Sequence, residues 1–487
     1  MSVTDGRTAP AHPRAKGPDP VPLRRNRDYL MLWSGAGLTL LGSRATSVAY
    51  PLLLIWSTGS AAAGAMAAFA AQLPHLIVQL PAGALVDRWN RRRTMLVCSA
   101  GCVVSTASVV LAVAVGQVHL AHLAVAAFVE GSLMVCHRLA ERACVRQVVP
   151  ASQLTAALAG NEARGRAAGL LGQPLGSAAF AAARWSPFLL GSVTHLLSLL
   201  AVLCVRAPFG GRPAAERRRL GPEIAEGLRW LWRRRFLLRI TLLISGSNVI
   251  FQALALLPAF VLYEDGLSPA TVGVIAAISG AGGAVGALCG GWATRRIGLA
   301  GLVRGALVVW ALLVPALALT RSPLLLGALL AGMSLVGGAV NVAGGVHQVR
   351  TTPDALQGRV NSALQLAGSG ANALGALAGG VLLDSLGVAR TAALLGAAMG
   401  VLALVAAASA LTRLLSAEEE QVAQEQQVPH EQQLSQQQHA SQQQQQPARE
   451  QEPAREQEPA REQEPAREQE AAREQEAARE QEGERPS

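Results

Sequence analysis

Two charged residues sit where a chain this apolar has no ordinary use for charge. Arg44 lies 14 residues into an apolar block that begins near Leu30, and Glu130 lies 14 residues before another block ends near Cys144. At 1.5 Å per helical residue, both are about 20 Å from the same end. A charge at that depth in lipid costs roughly 2.5–3.5 kcal/mol or more, so it marks pairing or function. Equal depth and opposite sign make Arg44 and Glu130 a candidate pair. The pair would serve charge compensation alone, or proton coupling in which Glu130 trades its proton with substrate binding. Other polar residues inside apolar blocks are candidates for lining a cavity: Gln72, His75 and Gln79, then Asn248 and Gln252, then Asn341 and His347. A lone His in a helix is more often hydrogen-bonded structure than a site, and His75 is weighed accordingly.

A second group with chemistry occupies a short connection, Gly83-Ala-Leu-Val-Asp87-Arg88-Trp89-Asn90-Arg91-Arg92-Arg93. The four Arg repel one another in so small a loop. Asp87 is placed to offset them and to meet the positive N-terminal end of a helix. Gly83 leaves room for close helix contact. The group reads either as a topology anchor among lipid headgroups or as a gate latch.

These residues need helices to hold them. The chain has 487 residues, 51% hydrophobic and 15% charged, with mean hydropathy +0.30. A soluble protein carries about 25% charged residues. From Leu30 to Leu415 the sequence runs as apolar blocks over 30–56, 61–86, 94–115, 118–144, 154–182, 185–207, 238–263, 270–293, 300–320, 322–347, 359–386 and 388–414. A helix of about 20 residues crosses a hydrocarbon core of about 30 Å. Backbone groups in lipid need internal partners, so these spans are helices. The prediction is an all-α polytopic membrane protein with 12 transmembrane helices.

Arg residues gather in alternate connections: Arg24, Arg25 and Arg27, then the Arg88–Arg93 turn, then Arg138, Arg142 and Arg146, the 217–235 cluster, Arg295 with Arg296, and Arg350 with Arg359. The other connections hold Arg184, Arg321 and Arg390. The positive-inside rule puts both termini in the cytoplasm. The connection 208–237 divides the spans six and six. Offsets align Pro150 with Pro353, Gly172 with Gly375, Gly176 with Gly379, Gly83 with Gly290 and Arg88 with Arg295, which points to a duplicated six-helix unit. The expected organisation is a basic arm (1–28), a first bundle (29–207), the connection (208–237), a second bundle (238–415) and a tail (416–487). The tail, Gln-rich and then repeating PAREQE, has too few apolar residues to fold alone.

Several functions are excluded. The net charge of +10 is not a nucleic-acid signature, because the Arg residues sit between apolar spans. The only lysine is Lys16, so there is no Walker A loop to bind ATP. No HExxH and no Cys/His ligand cluster appears, so no metal or cofactor is expected. The six cysteines lie in or beside apolar spans and read as packing residues. Nothing forms a nucleophile–base constellation, so the chain is not read as an enzyme. Uphill transport must then draw on an ion gradient, with the proton as coupling ion.

The Arg-rich loop resembles the signature between the second and third helices of the major facilitator superfamily, G-x-x-x-D-R-x-G-R-R. The resemblance covers residues 28–415. Gly83, Asp87, Arg88, Arg91 and Arg92 match. Asn90 replaces the later Gly, and Asn tolerates the left-handed backbone better than most residues. The second-half copy, Gly290 to Arg296, has Thr294 in place of the acid, so any latch rests on Asp87. Gly42-Ser43-Arg44, Asn161-Glu162-Ala163-Arg164 and Pro353-Asp354 through Gly358-Arg359-Val360-Asn361 resemble the branch that includes macrolide and enterobactin exporters. Gly172, Pro174 and Gly176 are similar to an exporter motif of the fifth helix, with Gln173 and Ser177 departing from it.

The resemblance implies two pseudo-symmetric six-helix bundles around a cavity lined by the first and fourth helices. It implies proton-coupled efflux of a small, partly apolar compound from a bacterial cell. Two alternatives stay open: an importer of the same fold, and a receptor or scaffold acting through the acidic tail. Asp87→Asn is expected to cut transport while the protein still inserts. Unaltered flux in vesicles carrying that variant contradicts the latch.

Overall fold

Backbone groups inside lipid must satisfy one another, and this chain does so with helices. A computed structural model describes residues 22–206, 229, 232–352 and 357–408; among them there is no strand. The helices are α1 Arg27–Thr58, α2 Ala61–Ile77, α3 Gln79–Arg88, α4 Arg91–Ala114, α5 Leu120–Val148, α6 Leu154–Ala182, α7 Ser186–Cys204, α8 Arg235–Leu254, α9 Leu257–Glu264, α10 Ala270–Ala316, α11 Pro323–Thr351 and α12 Gln357–Ala408. Most of the N-terminal arm and of the central connection, the Pro353-Asp354 pair and the tail lie outside the described residues.

Two breaks within predicted spans share one cause. Pro81 has no N–H to offer the carbonyl of Ile77, and α2 ends at Ile77. Pro258 has none to offer Leu254, and α8 ends at Leu254. In each case a second helix continues at once, so α2 with α3 and α8 with α9 each make one bent crossing.

Two long helices instead turn back on themselves. Gly298 in α10 has φ 66° and Gly387 in α12 has φ 73°, a backbone conformation that side chains with a Cβ rarely adopt. Packing reveals the reversal. Before Gly298, Gly282 abuts Ala331 of α11; after it, the Trp310 indole donates to the Met333 carbonyl of α11 at 3.0 Å. Both flanks of Gly298 thus reach the same level of α11. Likewise Gly375 and Leu402, on either side of Gly387, lie against Val249 and Gly246 of α8. With each reversal read as two crossings, the helices match the twelve-span pattern.

The apolar surface faces outward. Val97, Val104 and Leu111, seven residues apart on α4, are 63%, 70% and 65% exposed. Such a stripe is suited to lipid. The predicted duplication has a packing counterpart. Gly172 and Gly176 of α6 lie against Arg44 and Ala45 of α1, and Gly375 and Gly379 of α12 lie against Val249 and Ala253 of α8. The contact of fifth span on first in one half therefore recurs as eleventh on seventh in the other. Gly83 differs from expectation: nothing lies within 4 Å of where its Cβ would be, so its room is unused in this conformation.

The halves meet at the end away from the Arg-rich turns. There Gly380 of α12 abuts Ala61 and Ala65 of α2, and Gly273 of α10 abuts Pro174 and Ser177 of α6. The Tyr263 hydroxyl of α9 lies beside Gly59, just past α1. Gly176→Leu and Gly379→Leu would each drive a side chain into a neighbouring backbone, an overpacking cost of about 1–3 kcal/mol or more. Both variants are expected to lose monodisperse protein on size-exclusion chromatography, whereas Gly83→Ala keeps it.

Candidate functional site

Glu130 of α5 is 3% exposed, and two neighbouring helices supply its partners. From α1, the Thr46 hydroxyl donates to Oε1 at 2.7 Å and the Tyr50 hydroxyl donates to Oε2 at 3.0 Å. From α7, fully buried His195 places Nε2 3.4 Å from Oε1. Phe188 closes the site with its ring edge-on to Tyr50 at 5.0 Å. No Arg ion-pairs with Glu130 among the described residues. Hydrogen bonds to an ionised group contribute about 1.5–3 kcal/mol each, so hydroxyls and imidazole can hold the carboxylate. The same hydroxyls can also accept a bond from the protonated carboxyl.

The expected contact between Arg44 and Glu130 is absent, and the helix face explains why. Arg44 stands two residues from Thr46, about 200° around α1 at 3.6 residues per turn. Gly35 and Gly42, on the Thr46 side of α1, pack against Ser198 and Thr194 of α7. Arg44 points the other way. Its stem covers Gly172 of α6, its side chain is exposed, and it makes no ion pair among the described residues. Depth along a helix does not fix direction around it.

A second buried acid was missed. Glu141 lies three turns beyond Glu130 on the same face of α5, with His137 between them. Arg164 of α6 meets Glu141 at 3.1 Å, and their side chains are only 10% and 6% exposed. Arg164 also donates to the Trp33 carbonyl at 3.0 Å and lies over the Trp33 ring at 5.9 Å. The helical spacing of Glu130, His137 and Glu141 was the available signal. Arg138, read as a loop charge, belongs to the body of α5, because that helix runs on to Val148.

A cavity of about 520 Å³ opens among the second-half helices and reaches the first half at α6. Asn248 and Phe251 of α8, Trp310 of α10, Ser334 and Asn341 of α11, and Arg166 of α6 line it. Phe251 and Trp310 meet edge to face at 4.7 Å. Asn248 and Asn341 both line it, whereas Gln252 turns into the seam of α8 with Gly375 of α12. Gln72 and His75 stay on α2 of the first half. Gln79 donates to Gln365 of α12 at 3.3 Å, and His347 stands edge-on to Phe236.

The sequence matches the profile of the Major Facilitator Superfamily over residues 32–303 and 253–460. The chain belongs to the major facilitator superfamily. It is therefore a multi-pass membrane transporter and not an enzyme. The multidrug efflux pump Tap of Mycobacterium tuberculosis (strain ATCC 25618 / H37Rv) is 28% identical over 391 residues, 75% of this chain and 89% of that pump. Tap of Mycobacterium bovis (strain ATCC BAA-935 / AF2122/97) matches to the same extent. The nucleoside transporter NupG shares the fold with a TM-score of 0.63 at 11% identity, over 78% of this chain and 99% of that one. A bacterial homologue of the human lysosomal transporter Spinster gives 0.61 at 15% identity, over 81% and 98%.

In this superfamily member the signature loop is compact. Asn90 has φ −65°, not the left-handed value that replacement of the family Gly had led us to expect. Its side chain instead accepts from the Arg93 N–H at 3.2 Å and caps α4. Arg92 donates to the Leu203 carbonyl at the end of α7 at 2.8 Å. Arg88 is exposed and Arg91 half-buried, while the Asp87 side chain lies outside the described residues.

At the opposite end, Asp384 of α12 accepts from the N–H groups of Ala61 and Ala62 at 2.6 and 3.0 Å and from the Ser60 hydroxyl at 2.6 Å. A second-half carboxylate thus caps a first-half helix where the helix end is positive. Asp384→Asn removes that charge, worth about 0.3–1 kcal/mol. Spin labels at Gln117 and Leu267 are expected to gain a longer-distance population in the variant. Arg164→Ala leaves Glu141 buried and unpaired, a loss of about 3–5 kcal/mol. The expected result is a clear fall in thermal unfolding temperature in detergent, partly recovered when Glu141→Gln is added.

Proposed function

We propose that this protein exports a small, partly apolar compound in exchange for protons. The observation that carries the proposal is Glu130, buried in the first half and bonded by Thr46, Tyr50 and His195 rather than by an Arg. Hydroxyls can bond such a carboxyl in either protonation state. Efflux as the direction is supported by the likeness to the multidrug efflux pump Tap. The cavity beside Asn248, Asn341, Phe251 and Trp310 offers apolar surface with a few hydrogen-bonding groups, as small-molecule sites do.

The Arg-rich turns face the cytoplasm in this reading, with both termini, and the membrane is the bacterial cell membrane. The two bundles rock about the cavity and expose it to each side in turn. The contacts of α2 with α12 and of α6 with α10 then close the outer end. Asp87 with Arg88, Arg91 and Arg92 stabilises one of the two states. α1 carries Thr46 and Tyr50 on the Glu130 face and Arg44 on the opposite face.

Proteoliposomes with an imposed pH gradient and a panel of drug-like compounds provide the test. Glu130→Gln is expected to abolish flux driven by the pH gradient while substrate–substrate counterflow persists. Full gradient-driven flux in that variant contradicts the coupling role.

A further inference from the structure

Four helices of the first half carry buried polar atoms that find no hydrogen-bond partner among the described residues. They are the hydroxyls of Thr39 on α1, Ser99 on α4 and Ser198 on α7, with Nε2 of His137 on α5 and Nδ1 of His195 on α7. All five residues are at most 2% exposed. Buried polar groups in folded proteins are nearly always bonded, and ordered water serves those that the protein does not.

Bonds made around Glu130 fix the helix faces on which these atoms stand. Thr39 precedes Thr46, a partner of Glu130, by seven residues, and His137 follows Glu130 by seven. Seven residues are about two turns, so each lies on the face of its reference residue, about 10 Å along the axis. Ser99 precedes Cys102 and Thr106 on one face of α4. Cys102 reaches the Glu130 carbonyl at 3.9 Å, and Thr106 meets Ser192 of α7 at 2.8 Å. Ser198 stands three residues past His195, whose Nε2 is 3.4 Å from Glu130, and its hydroxyl lies against Gly35 of α1. α1 and α4 begin at the Arg-rich end, whereas α5 and α7 finish there. Each of these four steps therefore leads from Glu130 toward that end. Glu141, bonded to Arg164 at 3.1 Å, comes one turn after His137.

The outer side of Glu130 is built differently. There Tyr50 and Phe188 close the site, and the hydroxyls are bonded: Ser105 to the Ala126 carbonyl, Thr106 to Ser192 and Ser108 to His122. Among the described residues, no unpartnered buried side-chain atom of these four helices lies on that side.

We infer that Glu130 exchanges its proton with the cytoplasmic side through a short file of bound water, entered at His195 and held by Ser198, Ser99, Thr39 and His137. The inference rests on the coupling role proposed for Glu130 and gives that role its exit. The proton leaves Oε1 for Nε2 of neutral His195 as the Nδ1 proton passes to the water beside it. Glu130 is left a carboxylate that accepts from Thr46, Tyr50 and the new Nε2–H. Along the file one O–H bond forms as another breaks, until a proton emerges at the Arg-rich end, and rotation of the imidazole resets its tautomer. The Tyr50–Phe188 contact keeps this release one-sided, so protons do not leak past Glu130.

Two measurements on the full-length protein test the route. X-ray radiolysis read by mass spectrometry oxidises side chains that touch bound water. Met134, one turn from both Glu130 and His137, is expected to label several times faster than Met95, which is also buried but lies in an apolar cluster with Leu32, Val86 and Val202. In proteoliposomes, Ser99→Ala/Ser198→Ala is expected to cut flux driven by the pH gradient about tenfold, the weight of one hydrogen bond in the barrier. Substrate–substrate counterflow persists in that variant, which shows that it is folded, and Ser108→Ala on the outer side leaves both fluxes unchanged. Equal labelling of Met134 and Met95 overturns the inference. Full gradient-driven flux in the double variant also overturns it, and leaves the coupling reading standing where Glu130→Gln abolishes that flux. Full flux in Glu130→Gln instead removes the coupling reading and the route with it.

Discussion

A charge inside a lipid-facing helical body must be paired, bonded or neutralised, and the arrangement of this transporter follows from that constraint. The acids meet it in three ways. Glu141 takes Arg164, Asp384 takes the free N–H groups at the start of α2, and Glu130 takes hydroxyls and an imidazole. Of the three, only Glu141 is held by an Arg. Glu130 and Glu141 are almost equally buried and differ in their partners.

α1 is the member on which these demands converge. One face supports Glu130, the face toward α7 is kept close by Gly35 and Gly42, and the remaining face offers Arg44 over Gly172. In the proposed exchange, protonation of Glu130 would act through the way α1 packs on α5 and α7. The close contacts of α6 with α1 on one side and with α10 on the other join that packing to the second half.

Much of the fold was legible because blocks of about 20 apolar residues have few other uses. The reversals at Gly298 and Gly387 fall within or beside the connections expected between spans, whereas the breaks after Ile77 and Leu254 were missed although Pro81 and Pro258 stood in view. Glu130 was legible because charge in lipid is costly. Its partners were not, since Thr46 and Tyr50 look ordinary in an apolar helix and His195 is distant in sequence. The pairing of Arg44 with Glu130 failed because depth says nothing of azimuth. Asp384 was overlooked because a carboxylate near a span end reads as a solvated group, and only the approach of α2 gives it a role.

The central claim is that Glu130 alternates between protonated and ionised states inside the bundle. Infrared difference spectroscopy of the lipid-embedded protein across a pH titration measures this most directly. The account predicts a protonated-carboxyl band that titrates in the wild type and is missing from Glu130→Gln. The same titrating band in both proteins, or none in the wild type, would contradict it.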